Sequence, residues 1–182
     1  MKLKALASLC NEAKAVRLYN APDGSQWAGT DGTIYKLPEN LGRLTTDALC
    51  AIFDISAEKA AKMQITEKDL PKVYETDAFS TGERELIYWL DRRLILHGAD
   101  DLPMKVPGGE VLCIPTKALR PGNDAEQPVL CLRNTDSGTP YIVYKDGMFV
   151  QAIIMPCRME PELVTWLADV VGGLEVRQDG TV

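Results

Sequence analysis

Leu3, Leu6, Cys10 and Ala13 recur three and four residues apart, so residues 2–14 are predicted to form an amphipathic helix that turns its lysines toward solvent. The period then changes. Val16-Arg17-Leu18-Tyr19 alternates as a strand does and runs into Ala21-Pro22-Asp23-Gly24, where proline presets one turn dihedral and glycine accepts positive φ. Gln26 to Gly29 and Thr33 to Leu37 flank Thr30-Asp31-Gly32; Asp-Gly between two β-prone runs predicts a hairpin, and Pro38 ends its second strand. Thr45 or Thr46 stands where a cap is needed for a helix with Ala48, Leu49, Ile52 and Phe53 on one face. Ser56 is placed to cap another helix carrying Ala60 and Met63.

Residues 67–85 are polar and broken by Pro71, Ser80 and Gly82, which predicts a connector or exposed loop. It divides a unit over 1–75, helix plus hairpin plus helices, from a mainly β unit over 83–182 ending in a helix; one continuous domain is the alternative. Leu86 to Leu90 and Leu94 to Leu96 enclose Asp91-Arg92-Arg93, a pattern that fits a helix over 84–97 or a tight hairpin. Ile87, Tyr88 and Trp89 favour the hairpin. Short strands between Pro/Gly/Asn turns follow, then Asp146-Gly147 leads into Met148 to Met155. A last helix begins at Pro161 with Glu162 in its first turn and a stripe of Leu163, Val164, Leu167, Val170 and Val171, stopped by Gly172-Gly173. The expected fold is α+β: antiparallel sheets of hairpins packed with amphipathic helices, mostly β in the second half. One order occurs twice, strand, Asp-Gly, strand, proline, helix, at Asp31-Gly32 to Phe53 and at Asp146-Gly147 to Val171.

Composition leaves this picture intact. The chain has 182 residues, 46% hydrophobic and 25% charged, enough to bury a core without metal or disulfide support. A formal net charge of −6 argues against general coating of nucleic acid but does not remove a local basic face. Lys2, Lys4, Lys14 and Arg17 concentrate positive charge at the front and are the candidate nucleic-acid contacts; Arg92-Arg93 and Lys117 with Arg120 are smaller clusters. Cys10, Cys50, Cys113, Cys131 and Cys157 are odd in number and set mostly among apolar residues, which predicts buried free thiols in a reducing cytoplasm. Neither a secretory signal nor a membrane-length apolar run occurs, so no membrane association is expected.

Little reactive chemistry is visible. His97 is the single histidine and the candidate catalytic residue, as a base for Cys113, Cys131 or a carboxylate; a histidine closing a strand is the plainer reading. No metal or cofactor site is expected, since no Cys-x-x-Cys pair, phosphate loop, dinucleotide fingerprint or nucleophile elbow occurs. Ser56-Ala57-Glu58-Lys59 has the Ser-x-x-Lys spacing of acyl-enzymes without its companion motifs and reads as a cap. Asp100-Asp101 and Glu83 with Glu85 read as exposed charges, while Trp27, Tyr35, Tyr88 and Trp89 read as core.

Gln26-Trp27-Ala28-Gly29-Thr30-Asp31-Gly32-Thr33-Ile34-Tyr35-Lys36-Leu37-Pro38 and Lys117-Ala118-Leu119-Arg120-Pro121 resemble stretches of uncharacterised proteins of bacterial prophages and mobile elements. The resemblance implies an accessory factor and no particular activity. The two hairpin-and-helix passages in an acidic chain are similar in architecture to DNA sliding clamps, whose rings present helices to DNA. Together these lead to a non-enzymatic binding or assembly protein acting on a protein partner or on itself, with a clamp-like DNA factor and a small His97 enzyme as alternatives.

Overall fold

A computed structural model describes residues 1–88, 94–96, 98–108, 110–157 and 159–172. Helix α1 (Leu3–Ala13) ends at Lys14, whose φ of 50° reverses the chain into β1 (Ala15–Asn20), β2 (Gln26–Gly29) and β3 (Thr33–Lys36). Helices α2 (Thr46–Ile52) and α3 (Ala57–Ala60) start where the hydroxyls of Thr45 and Ser56 accept from the amides of Ala48 and Lys59, each at 3.3 Å. Ser56 is therefore a cap, as its spacing predicts. Then come β4 (Gln64–Asp69), β5 (Arg84–Glu85), β6 (Ile87–Tyr88), β7 (Leu94–Leu96), β8 (Ala99–Lys105) and β9 (Val111–Pro115). A 3-10 helix, Thr116–Gly122, precedes β10 (Pro128–Asn134), β11 (Pro140–Asp146), β12 (Phe149–Ile154) and α4 (Pro161–Gly172). The fold is α+β, with strands concentrated in the later half.

An eight-stranded sheet in the order β4-β1-β2-β3-β12-β11-β10-β5 takes strands from both sides of the polar 75–83 stretch. All neighbours in it are antiparallel except β1 with β4, which the α2–α3 crossover returns in parallel. Two meanders, β1-β2-β3 and β10-β11-β12, meet where Tyr35, Ile34 and Thr33 pair with Ala152, Ile153 and Ile154. The two Asp-Gly hairpins thus lie side by side, but the helices after them part company. Helix α2 packs into the main core, whereas α4 covers β9 of the second sheet. What the meanders share is a helical element before each, α1 and the 3-10 helix, and these two pack on one another.

The turns differ as well. Gly147 is left-handed with φ 56°, as an Asp-Gly hairpin requires. Gly32 is not; there the Thr30 hydroxyl closes the loop by accepting from the Gly32 and Thr33 amides at 3.3 and 3.2 Å.

Alternation along the strands sorts side chains between two faces. Val16, Leu18, Tyr35, Leu130, Leu132, Ile142 and Ile154 join α1, α2 and the second sheet's Leu102, Met104 and Ile114 in the main core. Trp27, Ile34, Tyr141, Val143, Val150 and Ile153 form a smaller cluster on the opposite face. The 3-10 helix is fastened to the main core by two buried phenols: Tyr35 donates to Ala118 O at 2.8 Å and Tyr144 to Gly122 O at 2.6 Å.

The second sheet corrects one expectation. Residues 87–88 and 94–96 are strands, so a continuous helix over 84–97 is excluded, yet they do not pair with each other. Both pair antiparallel with β8, at Lys105–Met104 and at Asp101–Ala99. The reversal that matters comes at Gly98, φ 79°, between β7 and β8.

Candidate docking cleft and the ion cluster that builds it

The chain between β4 and β5 is an irregular, largely exposed connector, as its composition predicts, and it crosses the outer face of the large sheet as a strap. Alternation explains what holds it. With Leu132 and Tyr144 turned into the main core, Arg133 and Tyr141, Val143 and Lys145 project from the other face, and a segment lying there meets both cations. Arg133, whose side chain is 1% exposed, donates to Glu75 O at 2.6 Å, to Asp77 O at 2.8 Å and to Glu83 Oε2 at 2.6 Å. Lys145 donates to Ala78 O at 2.6 Å and to Glu83 Oε1, and lies 5.7 Å from the centre of the Phe79 ring. Tyr74 packs edge-on against Tyr141, centroids 5.3 Å apart, and the Tyr141 hydroxyl accepts from the Glu75 amide. Burial pushes the Glu83 carboxyl up, but hydrogen bonds from Lys145 and Arg133 outweigh it, and the group titrates below its ordinary range. Glu83, expected as an exposed charge, is thus a half-buried anion shared by two buried cations.

The strap forms one wall of a cleft of about 430 Å³. Its lining includes the buried Trp27, Leu37 and Val150, then Met1, Pro38, Thr76 and Ala78, and the polar Asp23, Lys36, Glu39 and Gln151. At the mouth stands the tip of the β11–β12 hairpin, where Met148 is 59% and Phe149 73% exposed; Phe79 on the strap is also 73% exposed. Two large exposed apolar side chains, Met148 and Phe149, thus line the cavity, and a third, Phe79, directly follows its lining residue Ala78. The sequence signal for it is slight: Met148 and Phe149 directly follow a tight Asp-Gly turn, where alternation no longer guarantees burial.

Other candidates fall differently. His97, Arg92, Arg93 and Trp89 lie outside the described residues, as does the side chain of Tyr88. Trp27 and Tyr35 are core, as expected. Asp100 and Glu85 are exposed, whereas Asp101 is buried and accepts from the Cys157 thiol at 3.3 Å. Arg17 is not available to a phosphate: it grips Asp31 through Nε and Nη2 at 2.7 and 2.9 Å and also donates to Gln64 and Thr66. Lys2, Lys4 and Lys14 are exposed on α1 and at its ends. Among the described residues no three His, Cys, Asp or Glu side chains gather as a metal site, and no helix is long and apolar enough to cross a membrane.

All five thiols are free, four of them buried. Desolvation raises each: Cys10 and Cys157 to about 12, Cys113 and Cys131 to about 11, and Cys50 upward, with Asp101 adding to the rise at Cys157 and Cys113. A thiol held protonated is a poor nucleophile. Treating the native protein with a disulfide reagent at pH 7.5 is expected to release almost no chromophore on the minute scale, and five equivalents in guanidinium; fast native labelling of any one cysteine would contradict this account.

No protein-family model, no curated protein and no solved structure matches this chain.

Proposed function

We propose that the protein is a non-enzymatic binding or assembly factor that docks a segment of a protein partner into the cleft between the strap and the β11–β12 hairpin, in a reducing cytoplasm where its thiols stay free. The observation that carries this is the exposure of Met148 and Phe149 in the lining of a preformed cavity, with the exposed Phe79 next in sequence to its lining residue Ala78. Aromatic side chains carry about 150–250 Å² each, so the three together bare roughly 400 Å² of apolar surface. That is the size of a functional patch but about half of the ~800 Å² per partner in a standard stable interface. An inserted anchor residue suits it better than a flat homodimer. Asp23 and Glu39 outnumber Lys36 among the charged residues lining the cleft, so the partner segment is expected to flank its apolar anchor with basic residues. A phage or mobile-element setting rests on the resemblance of residues 26–38 and 117–121 alone.

The test is site-specific photocrosslinking in cells with benzoylphenylalanine at position 149. One discrete adduct, weakened by Met148→Asp and absent when the probe sits at Ser137 on the opposite end of the hairpins, is the expected result. No adduct, or the same adduct from position 137, overturns the reading; an adduct of twice the chain mass replaces the partner by a second copy.

A further inference from the structure

We propose that the face made by α1 and the 3-10 helix Thr116–Gly122 is a binding site for the phosphate backbone of duplex nucleic acid, meeting the docking cleft only at Met1. The two elements run antiparallel. The Lys2 amide donates to Pro121 O at 2.7 Å at one end, and Lys117 reaches Glu12 at 3.1 Å at the other. Helix α1 spends its apolar residues Leu6, Leu9 and Cys10 on the core and leaves Lys2, Lys4 and Lys14 exposed along it and at its ends, and Lys117 and Arg120 of the adjoining 3-10 helix are exposed as well.

The carboxylates within this strip are already answered by cations. Glu12 is held by Lys117, with Arg120 adding to the field, and Asp124 is held by the N-terminal ammonium at 2.9 Å with Lys2 near it. A positive strip therefore survives on a chain whose net charge is −6. Eleven helical residues make it about 16 Å long, roughly half a turn of duplex.

Four polyanions compete for such a face, and its lack of exposed apolar and aromatic side chains decides among them. Among the described residues none of the large exposed hydrophobics lies on α1 or on the 3-10 helix. An acidic protein partner needs apolar hot spots, a membrane needs apolar anchors, and single strands need aromatic platforms. Duplex backbone needs only cations at phosphate spacing, and it positions without reading sequence.

The full chain is titrated against a fluorescein-labelled 20-bp duplex by anisotropy at 50 and 200 mM NaCl. About four phosphate contacts predict binding roughly a hundredfold weaker at the higher salt. Lys4→Glu with Arg120→Glu is expected to lose tenfold or more at 50 mM and to halve the salt slope, while Arg43→Glu with Lys72→Glu changes little. Far-UV circular dichroism and Tm check that the variants fold, and Lys4→Ala with Arg120→Ala replaces the reversals if they do not. Absence of binding at 50 mM, indifference to the Lys4 and Arg120 changes, equal loss in the Arg43 and Lys72 pair, or binding to phosphatidylserine vesicles without binding to the duplex each overturns the proposal.

Discussion

Arg133→Ala is expected to destabilise the protein by about 3–5 kcal/mol, because it takes the guanidinium from the half-buried Glu83 and leaves the Glu75 and Asp77 carbonyls of the strap without their charged donor. For a chain of this length that is a fall in Tm of roughly 10 °C or more. Differential scanning calorimetry measures it, and a loss under 1 kcal/mol would refute the assignment of Arg133 as the fastening of the strap. The companion variant Arg133→Met, Lys145→Met, Glu83→Leu removes all three charges together and is expected to recover much of the loss, since matched apolar groups escape the desolvation cost of the triad. Acid stability carries the same signature. The folded Glu83 carboxyl titrates below its ordinary value of 4.5, so its contribution is fully present above that pH and disappears as pH falls through the folded value. Glu83→Gln should therefore show a shallower loss of stability between neutral and acid pH than the wild type; an unchanged slope would place the acid sensitivity elsewhere.

Gly122→Ala is the second large effect. An ideal Cβ built on Gly122 lies 2.3 Å from Cε1 of Tyr144 and 2.9 Å from its Cζ, and the ring cannot retreat because its hydroxyl donates to Gly122 O on the same residue. Overpacking of this kind costs about 1–3 kcal/mol, and displacing the phenol adds about 1 kcal/mol for its lost hydrogen bond. Chemical denaturation is expected to show a lower midpoint at unchanged slope. Gly122→Ala combined with Tyr144→Leu should cost less than the sum of the single changes, because the clash that dominates the first is gone in the double variant. Strict additivity would mean the contact is not what constrains the glycine. The same variant bears on the duplex-binding strip, since Gly122 ends the 3-10 helix that supplies Lys117 and Arg120.

Much of the local structure was legible in the residues. The spacing of Leu6 and Cys10, the cap at Ser56, the Thr30-Asp31-Gly32 turn and the Pro161–Glu162 start of α4 are short-range signals, each satisfied within a few residues of itself. Where the reading went astray, the deciding contact lay far along the chain. Segments 87–88 and 94–96 look like partners because their side chains suit strands, but side chains do not say which strand edge a backbone will join, and β8 took both. Arg17 counts among the nucleic-acid candidates because basic residues concentrate at the front of the chain; Asp31, brought alongside by the β2–β3 hairpin, pairs with it. The docking cleft had almost no signal, since its parts come from β2, β3, the strap and the β11–β12 tip.

By itself the sequence determined an α+β chain with free, apolar-flanked thiols, two Asp-Gly hairpins, capped helices and a negative average charge. These follow from periodicity, turn chemistry and composition, which act over short range. Tertiary structure alone decided that the two meanders join through β3 and β12, that Arg133 and Lys145 become buried fastenings for a strap, and that Lys117 and Arg120 come to stand near Glu12 of α1. The reason is physical: whether a charged side chain on the polar side of a strand meets water or carbonyls depends on which distant segment settles over it, and burial is a property of the neighbours rather than of the residue.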